Sequence, residues 1–368
     1  MLYSQAVPPP ALRFQEFIPL APYTTLRIGG PARFFCKVTT EAELLDAVTF
    51  ARSKNLPLFV LGGGSNLLVS DAGFPGLVIH AAIDAAFHLD GGYKDSRPTT
   101  TPLTYRVPAG IDWDAFVLRT AEAAISGIEC LAGVPGLVGG SPIQNIGAYG
   151  QEVSTSISLV HALDLDTLNF VTLPAEQCHF AYRRSIFNTT HKNRYVVTAV
   201  TFSFDLDATP DLAYADLQRH FAGRDAAPKP IDIYRAVREI RHSKGMLIVE
   251  GEPDCRSAGS FFKNPVVAQS VLNSIASTLA VPVEKIPHWP AGDANVKLPA
   301  AWLLEQAGFH KGFAIGRAAI SSRHTLALVN LGEATAAELI ALRDTVMTAV
   351  EDKFDLQLEQ EPVMLGFS

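Results

Sequence analysis

Positive charge is in short supply. The 368-residue chain sets 30 Lys and Arg against 37 Asp and Glu, a formal net charge of −7. That balance argues against a nucleic-acid partner, and any phosphate ligand must be met by locally placed cations or backbone dipoles. Cysteine is equally sparse. Cys36, Cys130, Cys178 and Cys255 lie far apart with no C-x-x-C, which fits neither a disulfide framework nor a zinc site and suits a reducing compartment. No metal site is expected. No apolar run approaches the roughly 18 residues of a membrane span. The opening Met1-Leu2-Tyr3-Ser4-Gln5 lacks the basic and apolar regions of a signal peptide. A cytoplasmic protein without membrane insertion is expected. Two common phosphate signatures are also missing: no Gly-Lys-Ser/Thr closes a Walker A loop, and no G-x-G-x-x-G runs into a helix.

What the chain does have is glycine in two dense clusters. Between Gly133 and Gly150, six of eighteen residues are glycine. Val134, Leu137, Val138, Ile143 and Ile146 punctuate the stretch with buriable side chains, so it is no flexible linker. Glycine at this density lets backbone approach a ligand closely, and Gln144 and Asn145 add amides that can bond a ring edge or phosphate oxygens. A structural turn explains the segment alone equally well. The second cluster tips the balance. The apolar run Leu58-Phe59-Val60-Leu61 enters Gly62-Gly63-Gly64-Ser65-Asn66, a strand end whose consecutive N–H groups can form an anion-binding concavity. Two such loops in one chain point to a pyrophosphate-bearing cofactor.

The periodicities place these loops. Arg33 to Val38 reads as a strand, followed by a helix to about Lys54 with Thr40 as N-cap and Glu43 in the capping-box position. Strands are predicted at Leu77–Ile79, Thr104–Val107, Leu159–Leu165, Phe170–Leu173 and Tyr195–Phe204, with Asp164–Asn169 as a hairpin connection. Helices are predicted from Trp113 to Ala121, Ile231 to Lys244, Val266 to Leu279, Ala300 to Ala307 and Thr335 to Lys353. Leu356–Leu365 reads as a closing strand. Residues 1–13 and 90–102 read as loosely held or surface segments. Segregated strand-rich and helix-rich regions indicate an α+β fold.

Three further segments could carry chemistry. Tyr182-Arg183-Arg184 sets two cations beside an aromatic. Ser257 to Pro265 brings Ser260, Lys263 and Asn264 around a bend. Leu358-Glu359-Gln360-Glu361-Pro362 spaces two carboxylates two residues apart, which in a strand puts both on one face. Judged singly, a solvated surface, a helix cap and the wet side of an edge strand explain them as well.

Together, in this order, the segments resemble the UDP-N-acetylenolpyruvoylglucosamine reductase family, flavoenzymes of peptidoglycan precursor synthesis. The match runs from Tyr23–Gly30 through Gly62–Asp71, Val134–Gly150, Tyr182–Phe187, Ala258–Pro265 and Trp302–Gly308 to Glu361, nearly the whole chain. Leu212–Leu217, with Tyr214, resembles the tyrosine loop of the longer form. Two places depart from the family pattern: Gly251–Arg256, and the ending at Pro362.

The resemblance implies a two-lobed FAD-binding unit of the vanillyl-alcohol-oxidase/PCMH type, with subdomains at 14–88 and 89–240. A substrate-binding α+β domain follows at 241–353, and a strand at 354–368 returns near the active site. It also implies non-covalent FAD with NADPH as reductant, and a monomer. The FAD contacts implied are Gly62, Gly63, Gly64, Ser65 and Asn66 from the first loop. From the second they are Val134, Pro135, Gly139, Gly140, Ser141, Gln144, Asn145, Gly147 and Ala148. Tyr182, Tyr214, Lys244, Asn264 and Gln306 are implied for the UDP-sugar. In the implied reaction, hydride passes from flavin N5 to C3 of the enolpyruvyl ether. Ser260 protonates C2, and Arg183 with Glu361 binds the substrate carboxylate and stabilises the enolate. Two rivals stand beside this: an oxygen-using oxidase of the same superfamily, whose flavin is often tethered through a His or Cys that Gly62–Asp71 lacks, which argues against a tethered oxidase and leaves an untethered one open, and a non-catalytic FAD or sugar-nucleotide binder.

Overall fold

Strand β2 (Pro31–Val38) alternates buried Ala32, Phe35, Cys36 and Val38 with exposed positions and then enters helix α1 (Glu41–Ser53). The helix starts where the sequence says: Thr40 Oγ1 accepts from the Glu43 N–H at 3.1 Å, and a Glu43 carboxylate oxygen accepts from the Thr40 N–H at 3.2 Å. Such a cap is worth about 1 kcal/mol. α1 lays Leu44, Ala47, Val48 and Ala51 against β2 and β5 (Phe74–Ala81). With β1 (Gln15–Pro19) and β3 (Leu58–Leu61) these make a four-stranded sheet, order β1-β2-β5-β3. The computed structural model describes residues 12–83, 102–210, 212–224, 226–292 and 294–367. The expectations for 1–11 and for most of 90–102 lie outside them.

A second, antiparallel sheet follows. Its strands are β6 (Leu103–Pro108), β9 (Ile157–Asp164), β10 (Phe170–Pro174) and β11 (Tyr195–Phe204), in the order β10-β9-β11-β6. Helices α2 (Trp113–Glu122) and α4 (Pro230–Ser243) cover it, and Trp113, Phe116, Phe202, Phe204 and Val237 fill the layer between. The glycine segment 133–150 crosses the edge of this core and ends in the short hairpin of β7 (Gly147–Ala148) and β8 (Gln151–Glu152). Helix α3 (Ala215–Phe221) lies against α4.

The last region carries β12 (Ser257–Ser260), β13 (Val266–Ala268), α5 (Gln269–Leu279), β14 (Trp289–Pro290), β15 (Asn295–Lys297) and α6 (Ala300–Gln306). Strands β16 (Ala314–Ile315), β17 (Ala318–Ile320) and β18 (Ala327–Asn330) and helix α7 (Ala336–Phe354) complete it. Its core takes in Leu26, Ile28 and Leu68 from the first region, so the regions share buried surface.

Two expectations are corrected. The helix predicted from Val266 begins only at Gln269, because Val266 and Val267 pair with Lys297 and Val296 as a strand; β-branched side chains favour the extended form. The closing strand predicted over Leu356–Leu365 is three residues long, β19 (Val363–Leu365), preceded by a single bridge between Gln360 and Phe262. Pro362 has no N–H to continue a ladder. β19 runs parallel to β4 (Leu67–Val69), so the end of the chain lies beside the first glycine loop. Among the described residues no helix is long and apolar enough to cross a membrane.

Candidate active site

The two glycine loops touch. A Cβ on Gly63 would meet Gly136 Cα at 2.6 Å, and Ser65 Oγ donates to the Pro135 carbonyl at 2.8 Å. Gly64 has φ +61° and faces the Tyr23 carbonyl, so a side chain there meets both strain and a clash. The first loop is thus pinned at Gly63 to Ser65. Their three consecutive N–H groups find no protein acceptor among the described residues. Gly62 and Gly140, by contrast, have open space where a side chain would begin. A fixed row of free N–H groups flanked by bare glycines fits a pyrophosphate, so the residues present fit FAD.

Not every residue implied for the cofactor faces such a space. A Cβ on Gly139 would meet Ala109 Cβ at 2.6 Å, which makes Gly139 a packing glycine. Ser141 is 1% exposed and donates to the Val138 carbonyl at 2.7 Å. Asn145 is wholly buried. Its Nδ2 donates to Glu152 at 2.8 Å and to the Ala181 carbonyl at 3.1 Å, while its Oδ1 accepts from the Ser154 N–H. Its side-chain amide therefore shapes the loop. Pro135 meets the first loop through its carbonyl, Val134 packs on the core of the second region, and Gly147 and Ala148 form β7.

Arg183 and Glu361 meet across the molecule. Arg183 Nε donates to Glu361 Oε1 at 2.9 Å, and Arg183 Nη2 donates to the Gly147 carbonyl at 2.8 Å. The side chains are 17% and 11% exposed. Arg183 holds φ at +55°, a left-handed conformation uncommon for a residue with a side chain; strain of this kind gathers at functional sites. Gln144 Nε2 donates to the same Glu361 oxygen at 3.3 Å. Asn66 Nδ2 donates to Gln144 Oε1 at 2.8 Å and to the Glu361 carbonyl at 3.2 Å. One amide from each glycine loop thus leads to the carboxylate. Burial pushes the Glu361 carboxyl above the usual carboxylate range, with Arg183 pulling the other way.

Ser260 ends β12 one residue from this contact. Phe261, next to it, accepts from the Glu361 N–H at 2.8 Å. Phe261 and Phe262 are buried to 0% and 1% exposure, so truncating either costs roughly 3–5 kcal/mol and the strand carrying Ser260 is firmly anchored. Glu359 differs from Glu361. Its side chain is 72% exposed and pairs with Lys263 Nζ at 2.5 Å.

The residues implied for the UDP-sugar lie in two groups. Tyr182 sits under two cations, Lys297 Nζ at 4.7 Å and the Arg183 guanidinium at 5.3 Å from its ring centre. Lys244 Nζ pairs with Asp216 at 2.5 Å and lies 6.0 Å from the Tyr149 ring, against which Tyr214 packs edge-on at 5.2 Å. Asn264 Oδ1 accepts from the Ala300 N–H at 2.9 Å and so caps α6. The Gln306 carbonyl accepts from Lys353 Nζ, which ties the end of α6 to α7.

Residues 252–365 match the model of the UDP-N-acetylenolpyruvoylglucosamine reductase C-terminal domain, and residues 32–167 match an FAD binding domain. A UDP-N-acetylenolpyruvoylglucosamine reductase of Thermobifida fusca is 42% identical over 358 residues, which cover 96% of this chain and 98% of that one. The chain belongs to the UDP-N-acetylenolpyruvoylglucosamine reductase family. A second member, from Streptomyces coelicolor, is also 42% identical, over 95% of this chain and 89% of its own. The solved reductase of Thermus caldophilus superposes with a TM-score of 0.64 at 26% identity, covering 96% of this chain and 99% of that one. The two-loop FAD region and the C-terminal reductase domain thus meet in a single reductase-family chain, joined by β19 on β4.

Asp71, Arg343 and Gln360 were not singled out by sequence. Asp71 accepts from the Ala336 and Ala337 N–H groups at 2.8 and 3.0 Å, capping α7 from 265 residues away. Its place at the end of the first glycine loop was the available signal.

Proposed function

We propose that this protein catalyses the NADPH-dependent reduction of UDP-N-acetylglucosamine enolpyruvate to UDP-N-acetylmuramate through bound FAD, in the cytoplasm, as a step of peptidoglycan precursor synthesis. The observation that carries the proposal is the partly buried Arg183–Glu361 pair beside the strand of Ser260. A binding module needs no such cluster of cation, carboxyl and hydroxyl.

The N–H groups of Gly63, Gly64 and Ser65 would hold the FAD pyrophosphate, with Gly62 and Gly140 leaving room beside it. When bound, FAD would supply the hydride-transfer chemistry between NADPH and C3 of the enolpyruvyl ether. Arg183 binds the substrate carboxylate and offers fixed positive charge where the enolate develops. A second carboxylate arriving there repels an ionised Glu361, so burial and substrate together favour its protonated form, which donates a hydrogen bond to the incoming carboxylate. Ser260 gives its proton to C2, in the role of general acid. Lys244 and Tyr214 receive the diphosphate, which must displace Asp216 from Lys244. Asn264 and Gln306 complete the polar contacts to the sugar nucleotide.

The test is anaerobic and stepwise. The FAD-loaded protein should bleach with NADPH, and the enolpyruvyl substrate should restore its colour. Recovery no faster than in buffer, or rapid recovery with oxygen alone, overturns the assignment.

A further inference from the structure

Glu361 stands between Gln360 and Pro362, and the Gln360 side chain closes that triplet. Gln360 Nε2 donates to the Pro362 carbonyl at 2.9 Å, while its Oε1 accepts from Arg343 Nη1 at 2.8 Å. Arg343 lies on α7 with its side chain 18% exposed; its Nε and Nη2 go to Asp344 at 2.7 and 2.6 Å. One guanidinium edge is therefore neutralised locally and the other is spent on Gln360. We propose that Arg343 and Gln360 are positioning residues for Glu361, a bracket that holds its carboxylate in reach of Arg183 and of the substrate.

The backbone explains why a bracket is required. The Glu361 N–H is fixed on Phe261 and the Glu361 carbonyl on Asn66, and the Val363 N–H donates to the Asn66 carbonyl at 3.0 Å. Between these anchors Pro362 offers no N–H, so no backbone donor is available there to secure the bend. The Gln360 amide takes that place. Arg343 in turn is registered to the cofactor loop, because α7 starts on Asp71. The 2.9 Å bond from Arg183 tolerates little tilt, since an N–H···O contact beyond about 3.5 Å is no longer a hydrogen bond. Displacement of a positioned group by about 1 Å can cost 10²-fold in rate.

This inference rests on the assignment of Glu361 to the substrate half-reaction, and the experiment separates the two. The FAD-loaded protein is compared with Arg343→Met, Arg343→Lys and Gln360→Leu in rapid-mixing measurements of each half-reaction. Flavin reduction by NADPH should stay within about twofold of the parent, while reoxidation by the enolpyruvyl substrate should fall about 10- to 10²-fold in Arg343→Met and Gln360→Leu. Arg343→Lys, which keeps a donor, should recover part of the loss. In a Glu361→Gln background, adding Arg343→Met should change the remaining rate by less than about twofold, because the group being positioned is gone. Equal losses in both half-reactions, or the full loss persisting in the Glu361→Gln background, overturn the bracket. A Glu361→Gln protein with a normal substrate half-reaction would overturn the underlying assignment instead. If Arg343→Met fails to fold, Gln360→Leu and Arg343→Lys decide the outcome.

Discussion

Arg183 and Glu361 are 178 residues apart in the chain and 2.9 Å apart in space. Bringing them together requires the second sheet, which supports the Arg183 turn, and the C-terminal segment, which returns across β12 and β4.

Ser260→Ala should separate the half-reactions. Flavin reduction by NADPH needs no proton at C2 and should be nearly unchanged. Reoxidation by substrate should slow by about 10²–10⁴-fold, the usual cost of losing a general acid. Cysteine at 260 should recover part of the rate. Equal damage to both half-reactions in stopped-flow traces would assign Ser260 a purely structural part.

The two carboxylates should respond in opposite ways. Glu361→Gln should cripple the substrate half-reaction. Glu359→Gln should leave it near normal and cost at most about 1 kcal/mol of stability, as expected for an exposed ion pair. Single-turnover kinetics and denaturant melts on both proteins check this. A crippled Glu359→Gln with a healthy Glu361→Gln would shift the catalytic register by two residues.

The glycines should sort into two classes. Gly62→Ala and Gly140→Ala enter open space, so the flavin-free protein should melt as the parent does while flavin affinity falls. Gly63→Ala drives a Cβ into Gly136 and Gly139→Ala drives one into Ala109, so both should lower the melting temperature with or without flavin. Flavin content after gel filtration, set beside the melting curves, distinguishes the classes. Full flavin retention by Gly62→Ala and Gly140→Ala would remove the pyrophosphate from this loop pair.

Glu129 predicts a pH dependence of stability. It is 1% exposed, and burial raises its carboxyl pKa against the pull of the Gly127 N–H, which donates to it at 2.6 Å. Below the unfolded-state value, about 4.3, both states carry the proton and the group contributes nothing to the pH slope. Above it the folded state binds more protons than the unfolded one, so stability is lost as pH rises until the raised folded value is passed. Glu129→Gln cannot ionise and keeps an acceptor for Gly127. Its stability relative to the parent should therefore grow with pH across that window, as thermal melts between about pH 4 and 8 would record. A constant difference at every pH would rule out the titration of Glu129 as the cause.

The sequence was most readable where partners are local. The Thr40–Glu43 box spans four residues, and Tyr195–Phe204 shows its strand pattern unaided; both formed as expected. Legibility failed where the deciding partner is remote. Val266 and Val267 leave the helix because β15 pairs with them, some 30 residues on. The side-chain amide of Asn145, an open ligand group in the sequence, is held by Glu152, Ser154 and Ala181, partners that the sequence does not announce. Arg343 sits in a helical pattern that marks it as one more polar position. Nothing in α7 announces that its guanidinium meets a glutamine beyond the helix end. Ser260, Arg183 and Glu361 stand out only as a set, through family resemblance, since each alone admits an ordinary explanation; the structure brings Arg183 and Glu361 into contact.

The pairing of β19 with β4 sets a timetable for biosynthesis. Chains emerge from the ribosome with the N-terminal region first, and early regions begin to fold before the rest arrives. The edge of β4 cannot be covered, nor can Asn66 meet the Glu361 carbonyl, until residues 361–365 are released. Nearly three hundred residues of translation therefore separate the first glycine loop from the segment that completes its surroundings. Truncated nascent products, whatever cofactor they retain, would leave Arg183 without the Glu361 carboxylate that it meets in the finished chain.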